Sequence, residues 1–279
     1  MLNSLRFIAL AILLFPATSI AARQGDSALP DIIVILTDDM RADDWRILRE
    51  TERLVGGTWF PNFVYTTPLC CPTRATIQRG QYAHNTGITT NAEGAAFREL
   101  DDYTIATALD AVRYHTIYVG NYMNGYGTEP APGWDVWDTE TDIGGKEKYW
   151  ISGEYMTDVF RDRAVRAIEG SPPGQPMFMM VGFRAPHSPW APAPRHAQAA
   201  VEPTKNDDDA DRKRTLLSVD EAVVAIARAM GAMWNDACVF VLSDNGSLLG
   251  EHETSGKSHG GTKPVAYLCG RDARACERT

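Results

Sequence analysis

Runs of apolar residues recur along the chain and predict the strands of a buried sheet. The clearest run is 31–36, Asp-Ile-Ile-Val-Ile-Leu, and others lie at 116–119, 176–183 and 237–242. These runs lack the polar alternation of a half-exposed strand, so they are typical of a parallel sheet covered on both faces. A further strand is expected to begin within 263–268, and 59–65 is interpreted as an extended connection.

Helical patterns separate the predicted strands. The strongest spans 212–233, where apolar residues at steps of three and four share one helical face: Leu216, Val219, Val223, Ile226 and Met230. Further helices are predicted at 44–54, 72–78, 100–111 and 155–169, whereas 126–153 is interpreted as a loop or lid and 206–209 as a solvated acidic loop. Alternating strands and helices predict an α/β fold, a three-layer αβα sandwich around a mostly parallel mixed sheet.

The first 22 residues have the pattern of a secretory signal peptide. Arg6 precedes an apolar stretch, Phe7 to Phe15, and small residues follow at 17–22. The stretch is too short to span a bilayer comfortably. An uncleaved membrane anchor is the alternative. We expect a secreted or periplasmic protein, lysosomal if the source is eukaryotic, without stable membrane insertion.

The net charge of −9 argues against broad nucleic-acid binding, which needs an excess of Lys and Arg to meet phosphates. Two of the predicted strands end in oxygen-rich pairs, Asp38-Asp39 and Asp244-Asn245. Ligands of open α/β sheets bind beyond the carboxyl ends of the strands, so both pairs are expected at one rim. A set of carboxylate and amide oxygens selects Ca²⁺ or Mg²⁺ rather than zinc. Turn and cap roles for these residues are the alternative.

A short motif distinguishes between these alternatives. Pro-Leu-Cys-Cys-Pro-Thr-Arg occupies 68–74, and Cys70, Pro72 and Arg74 match Cys-x-Pro-x-Arg in place. In this motif the chain resembles the sulfatase family of the alkaline phosphatase-like superfamily. The resemblance covers about 31–257 and implies an alkaline phosphatase-like fold and a sulfuric ester hydrolase activity. The sequence around Cys70 and Asn124-Gly-Tyr126 leans toward N-acetylglucosamine-6-sulfatases and arylsulfatases.

The resemblance implies that Cys70 is oxidised to formylglycine by a formylglycine-generating enzyme. One hydroxyl of the hydrated aldehyde then attacks the sulfur of a sulfate ester. The position also suits an anion, since residue 70 lies at the start of a predicted helix. Arg74 would orient the hydrated aldehyde. The other cysteines are Cys71, Cys238, Cys269 and Cys276. Conversion of Cys70 leaves an even number of thiols, although Cys70 and Cys71 could instead be disulfide partners of the others.

Further roles carry over by motif. The implied Ca²⁺ ligands, with Mg²⁺ as a second possibility, are Asp38, Asp39, Asp244, Asn245 and the modified Cys70. The metal would offset the charge of the sulfate. Lys257 would contact the sulfate and help to protonate the leaving oxygen. His187, in Ala-Pro-His-Ser-Pro, would act as a general acid at the scissile oxygen.

The chain also departs from the family. The second family signature usually reads Gly-Lys-Tyr-Leu-Asn-x-Tyr, but this chain has Asn121 where the lysine is usual. The loss of that cation is expected to cost several kcal/mol of transition-state stabilisation, on the order of one oxyanion-site deletion. Arg113 replaces a usual glycine, and Gln78 a usual apolar residue.

We therefore expect three segments: a signal peptide at 1–22, a sulfatase catalytic domain at 23–264 that is incomplete at its C-terminus, and a divergent tail at 265–279. The expected function is hydrolysis of sulfate esters on a sulfated small molecule, sugar or glycan. The alternatives are a phosphodiesterase or phosphonate hydrolase of the same superfamily and a catalytically impaired remnant, the latter because of Asn121 and the short C-terminus.

Overall fold

The computed structural model describes residues 29–60, 65, 67–140, 149–246 and 266–268. Its strands are β1 (Ile32–Thr37), β2 (Thr58–Trp59), β3 (His115–Asn121), β4 (Val136–Glu140), β5 (Trp150–Ile151), β6 (Glu154–Tyr155), β7 (Met177–Gly182), β8 (Cys238–Ser243) and β9 (Ala266–Leu268). The α-helices are α1 (Arg49–Val55), α2 (Cys70–Arg79), α3 (Ala83–Thr86), α4 (Ile105–Ala111), α5 (Met156–Glu169) and α6 (Asp207–Met230). Segments of 3₁₀-helix occupy Ala42–Ile47, Asn91–Glu99, Pro194–His196 and Gly231–Asp236.

The main sheet is mixed but mostly parallel. Its strand order is β2-β9-β8-β1-β7-β3-β4, with β5 and β6 paired separately. Strand β1 lies parallel to both β7 and β8, and β3 lies parallel to both β7 and β4. Within the main sheet β9 runs antiparallel to both of its neighbours, β2 and β8, and the separate pair of β5 and β6 is also antiparallel. The carboxyl ends of the central strands therefore meet at one edge of the sheet, which is where ligands of such sheets bind.

Both faces of the sheet are covered, as the uninterrupted apolar runs predict. Ile33 and Ile35 of β1 belong to one buried cluster with residues of α5 and α6. Val34 and Leu36 belong to the opposite cluster, with residues of α2 and α4. Successive strand residues point to opposite faces, so a strand buried on both sides needs apolar residues at every position. The three-layer αβα architecture is confirmed.

Two predicted elements differ in the structure. The segment 126–153, expected to be a loop or lid, contains β4 and β5, and β6 follows directly after it. The sequence pattern does not predict β4 because its residues are largely polar. Polar residues are tolerated there because β4 lies at the edge of the sheet, where its side chains are only half-buried. The helix predicted at 44–54 is divided at Leu48 into a 3₁₀ segment and α1, since Leu48 has a non-helical ψ of 58°.

The acidic run at 206–209 begins a helix and is not a solvated loop. The Asn206 side chain accepts a hydrogen bond from the Asp209 N–H at 2.9 Å, which caps α6. Asp209 is buried and pairs with Arg212 at 2.7 Å and Lys213 at 2.9 Å. Carboxylates are favourable in the first turn because the helix dipole is positive there. Arg212 also contacts Asp44, so the start of α6 is fastened to the segment that follows β1.

A pair of glycines allows β3 and β7 to approach closely at the edge that carries the polar residues. Gly120 has a φ of +100°, and a Cβ there would lie 2.3 Å from the Gly182 carbonyl oxygen. A Cβ at Gly182 would lie 2.3 Å from the Asn121 carbonyl oxygen. Neither position therefore accepts a side chain without displacing backbone.

Within the described residues, none of the helices combines the length and apolar character that a membrane crossing requires.

We expect Gly120→Ala to lower the free energy of unfolding by roughly 2–4 kcal/mol, because it adds a backbone clash to an unfavourable φ. Urea denaturation measures the change. Gly174→Ala is the matched control, since Gly174 also has a positive φ of 75° but open space at its Cβ position. The control should cost about 1 kcal/mol. Equal costs for the two variants would show that the close approach of β3 and β7 is unimportant.

Candidate active site

The two acidic pairs lie side by side at the edge of the sheet. Thr37 at the end of β1 is in register with Ser243 at the end of β8. The Asp244 N–H donates to the Thr37 carbonyl at 2.9 Å, and the Asp39 N–H donates to the Asp244 carboxylate at 3.2 Å. Asp38, Asp39, Asp244 and Asn245 are all buried. The parallel register of two neighbouring strands is thus what gathers these oxygens.

The start of α2 completes the cluster. Cys70 is the first residue of that helix, and its Sγ lies 3.2 Å from Asp38 Oδ1. One ligand atom from each of Asp38, Asp39, Cys70 and Asp244 lies within 4.8 Å of the others. Asn245 adjoins this group through a hydrogen bond from its Nδ2 to Asp39 Oδ1. The structure therefore brings together the five side chains that the sequence nominates as metal ligands.

Arg74, one turn into α2, binds two of these carboxylates. Its Nε lies 3.0 Å from Asp244 Oδ2, and its Nη2 lies 3.3 Å from Asp38 Oδ2. Its Nη1 donates to the Asn121 carbonyl at 2.6 Å. The side chain is only 4% exposed, so its charge is committed to the carboxylates beneath the site. Arg74 is expected from the sequence to orient the hydrated aldehyde. In the structure it also contacts two carboxylates of the cluster and holds them in place.

His187 reaches the cluster from the loop that follows β7. Its Nε2 lies 3.7 Å from Asp39 Oδ2, and one ring nitrogen lies within 4.8 Å of ligand atoms of Asp38 and Cys70. The Tyr149 hydroxyl donates to the His187 carbonyl. His187 therefore borders the cluster, where a group held on Cys70 would meet it. Lys257 lies outside the described residues, and its role stays a prediction.

The electrostatics of the cluster favour a bound cation. Burial, followed by repulsion from Asp38 and Asp244, raises the pKa of Asp39 to about 7. Two buried oxygens, Asp39 Oδ2 and Asn245 Oδ1, have no hydrogen-bond partner. Unpaired buried oxygens are costly, and a hard cation would satisfy both at once. The residues present fit a Ca²⁺ or Mg²⁺ ion.

The pKa of Asp38 is lowered, in contrast to that of Asp39. Its burial would raise its pKa, but nearby positive charges outweigh that effect and hold the pKa below its usual range. These charges belong, in decreasing order of effect, to His187, Arg74 and Arg184. Asp38 is therefore ionised at neutral pH, as a metal ligand must be.

The Cys70 thiol is in an environment that disfavours the thiolate. Burial, followed by the charges of Asp38, Asp244 and Asp39, raises its pKa well above the usual value. An unmodified thiol here is therefore a poor nucleophile, because the thiolate is the reactive form. Cys70 and Cys71 are both free thiols in the structure, so the alternative that they form disulfides is wrong.

Several residues around the site were not nominated from the sequence. The Tyr65 hydroxyl donates to the Ser243 carbonyl, and Asn91 Oδ1 accepts the Cys71 N–H at 2.9 Å. Arg184 Nη2 lies 3.1 Å from His187 Nδ1. Only Arg184 had a sequence signal, because it stands in the same short segment as His187. Tyr65 and Asn91 lie on either side of the 68–74 motif, at positions that the motif does not include.

The sulfatase family model matches residues 30–268, which is most of the chain. The chain belongs to the sulfatase family. It is 29% identical to the human N-acetylglucosamine-6-sulfatase over 290 residues, covering 80% of this chain and 52% of that protein. It is 30% identical to a Drosophila melanogaster extracellular sulfatase SULF-1 homologue over 195 residues, covering 60% of this chain and 17% of that protein. This sulfatase chain thus spans about half the length, or less, of these curated relatives.

The comparison of structures agrees with the fold. The phosphonate monoester hydrolase of Agrobacterium radiobacter superposes with a TM-score of 0.63 at 16% identity, covering 86% of this chain and 68% of that one. At this level of identity the likeness concerns the architecture alone. The sulfatase fold of this chain is alkaline phosphatase-like, as the resemblance implies.

We expect Ca²⁺ to raise the melting temperature by roughly 5 °C at about pH 8 and by clearly less at about pH 5.5. The pKa of Asp39 is raised to about 7, so without a cation the fold favours the protonated carboxyl and loses stability as the pH rises toward and through 7. Ca²⁺ needs the ionised form and is therefore most stabilising above that pH. Thermal melts with Ca²⁺ or a chelator measure the difference.

Two variants control this measurement. Asp39→Asn should abolish most of the Ca²⁺ response and its pH dependence. Asp43→Asn removes a carboxylate that is 63% exposed and should leave both unchanged. A Ca²⁺ response of equal size at the two pH values would contradict the assigned role of Asp39.

Proposed function

We propose that this chain forms the catalytic core of a sulfatase that hydrolyses sulfate esters, with Ca²⁺ bound by Asp38, Asp39, Asp244, Asn245 and the converted Cys70. One observation carries the proposal: buried, partly unsatisfied oxygens from two strand ends meet the first residue of the Cys-x-Pro-x-Arg helix. When present, the cation offsets sulfate charge and the hydrated formylglycine supplies the attacking hydroxyl. Mg²⁺ is the second candidate ion.

The overall reaction consumes one water. The S–O bond to the alcohol breaks, the alcohol oxygen takes up a proton, and sulfate leaves with the oxygen that water supplies. The His187 ring would lie next to the reacting sulfate ester, because it borders both Cys70 and Asp39. It holds the proton that the departing oxygen needs. Lys257 shares that role in the proposal.

Arg74 keeps the site arranged for this reaction. Its contacts with Asp38 and Asp244 hold two carboxylates that would otherwise repel each other. Because the guanidinium is fixed by the carbonyl of Asn121 as well, its position does not depend on the substrate. The burial of this network excludes water from the carboxylates and strengthens their interaction with a cation.

The substrate class follows from the relatives. The human relative is an N-acetylglucosamine-6-sulfatase, and the SULF-1 homologue is an extracellular sulfatase. From these names we extend to the present chain a sulfated sugar or glycan as substrate. The sequence motifs, and not the relatives, are the basis for proposing a formylglycine-generating enzyme as partner and a signal peptide at 1–22 that directs the protein to a secreted, periplasmic or lysosomal location. The catalytic domain then occupies 23–264 and the divergent tail 265–279.

The chain should be produced together with a formylglycine-generating enzyme and tested on 4-nitrophenyl sulfate and on the phosphate diester bis(4-nitrophenyl) phosphate. We expect the sulfate ester to be the better substrate and Cys70→Ala to lower kcat/KM by at least about a thousandfold, because the nucleophile is lost. Peptide mass spectrometry across residue 70 reports the conversion independently.

Cys71→Ala is the matched control. It removes the neighbouring buried thiol, which is outside the cluster, and should retain conversion and most of the activity. Better turnover of the phosphate ester would favour a phosphodiesterase or phosphonate hydrolase. A converted, Ca²⁺-binding protein that hydrolyses neither ester would be an impaired remnant.

Asn121→Lys should raise kcat/KM for the sulfate ester by roughly tenfold, because a charged donor binds an anion more strongly than an amide does. Residue 121 is suitably placed, since its carbonyl lies 2.6 Å from Arg74 Nη1 at the end of β3. Steady-state kinetics of the converted variant measure the gain. Unchanged kinetics in a folded variant would show that the missing cation does not limit this enzyme.

A further inference from the structure

Arg184 lies beside the site and pairs with none of the carboxylates that the structure describes. Its Nη2 donates to the Ser188 carbonyl at 3.2 Å and lies 3.1 Å from His187 Nδ1. Within the described part of the chain its guanidinium forms no ion pair, and its Nε is buried without a partner. A partly buried arginine usually has a carboxylate or another acceptor, because unpaired donors are costly. Its remaining donors, which have no acceptor among the residues that the structure describes, are therefore available to an anion.

The sum of the formal charges at the site is compatible with a bound anion. Asp38, Asp39 and Asp244 contribute −3, and Arg74, paired with two of them, contributes +1. A divalent cation adds +2, so the sum is −3 + 1 + 2 = 0. His187 adds +1 while it holds the proton that the leaving oxygen takes up, and a sulfate ester brings −1. Once that proton has moved, Arg184 is the positive charge among the described residues that the carboxylates do not already balance.

Arg184 lies next to the residue that borders the cluster. It adjoins His187 Nδ1, and the other ring nitrogen, Nε2, lies 3.7 Å from Asp39 Oδ2. The positive charges of His187, Arg74 and Arg184 together lower the pKa of Asp38. The guanidinium is therefore beside the His187 ring, which borders Cys70, and near enough for its charge to act on the cluster.

We propose that Arg184 binds the reacting sulfate of the substrate and supplies the positive charge that asparagine at position 121 cannot. The inference rests on the proposed function and deepens it. An arginine is suited to this task, because its planar, permanently charged group presents several donors to tetrahedral oxyanions. The alternative is a positioning residue that only orients the His187 ring.

The test uses the full, converted chain with saturating Ca²⁺. Arg184→Gln removes the charge and keeps polar character, Arg184→Lys keeps the charge, and Arg53→Gln is a control at an arginine that is 71% exposed. Calorimetry with inorganic sulfate gives Kd, and 4-nitrophenyl sulfate, whose one anionic group is the reacting sulfate, gives kcat and KM.

We expect Arg184→Gln to raise Kd for sulfate and KM by about tenfold or more, with a smaller change in kcat. Arg184→Lys should keep sulfate affinity closer to that of the unmodified protein, and Arg53→Gln should change nothing. The Ca²⁺ affinity of Arg184→Gln should be equal or tighter, because removing a positive charge favours a cation.

Three results would overturn the proposal. In the first, Arg184→Gln lowers kcat while Kd for sulfate stays the same, which assigns Arg184 to the orientation of His187. In the second, Ca²⁺ binding weakens, so that Arg184 acts through the metal ligands. In the third, only a disulfated amino sugar is affected and 4-nitrophenyl sulfate is not, so that Arg184 binds a second sulfate.

Failure of the proposed function gives a different pattern. A protein that does not hydrolyse 4-nitrophenyl sulfate at all would refute the enzymatic assignment. The role of Arg184 would then be decided by sulfate affinity alone, which needs no turnover. If Arg184→Gln does not fold, Arg184→Lys in high and low salt decides the question, since a charge-based contact should weaken as salt screens it.

Discussion

Mutual repulsion among buried carboxylates is the constraint around which this structure is arranged. Asp38, Asp39 and Asp244 lie together at the carboxyl edge of the sheet, shielded from water. Three like charges in such a volume are strongly unfavourable unless cations are close. Arg74 pairs with Asp38 and Asp244, whereas burial, followed by repulsion from the neighbouring carboxylates, raises the pKa of Asp39. A hard cation would compensate the negative charge that Arg74 leaves, which is the physical basis of the proposed metal site.

The fold provides the rigidity that this arrangement needs. Strand β1 is fastened in register to β7 on one side and β8 on the other, so the positions of residues 38 and 244 are fixed by backbone hydrogen bonds. On the far side, Gly120 and Gly182 allow backbone contact that side chains would prevent. The Asn121 carbonyl is thereby close enough to bind Arg74. The guanidinium is consequently held by three strands and its own helix.

Local patterns predicted the elements that carry the chemistry. Apolar runs found the central strands because a strand buried on both faces has no polar positions to obscure it, and the Cys-x-Pro-x-Arg motif found the helix that begins at Cys70. One miss arose where the buried partner of an acidic segment is not evident from composition. Asp209 pairs within α6 with Arg212 and Lys213, and Arg212 in turn pairs with the distant Asp44. Arg113 has a φ of +68° at a position where the family usually has glycine. The sequence shows the replacement of glycine but does not show the backbone conformation.

The segment that contributes Arg184 and His187 is closed upon itself. The His187 N–H donates to the Arg184 carbonyl at 2.9 Å, and Trp190 Nε1 donates to the Pro186 carbonyl at 3.0 Å. Other elements also hold the segment, since the Asp38 N–H donates to the Ala185 carbonyl at 3.3 Å and the Tyr149 hydroxyl donates to the His187 carbonyl. The carboxylates beneath it follow other strands. Under the proposed function, a substitution at position 184 would therefore alter the group that meets the substrate without replacing a carboxylate of the proposed metal site.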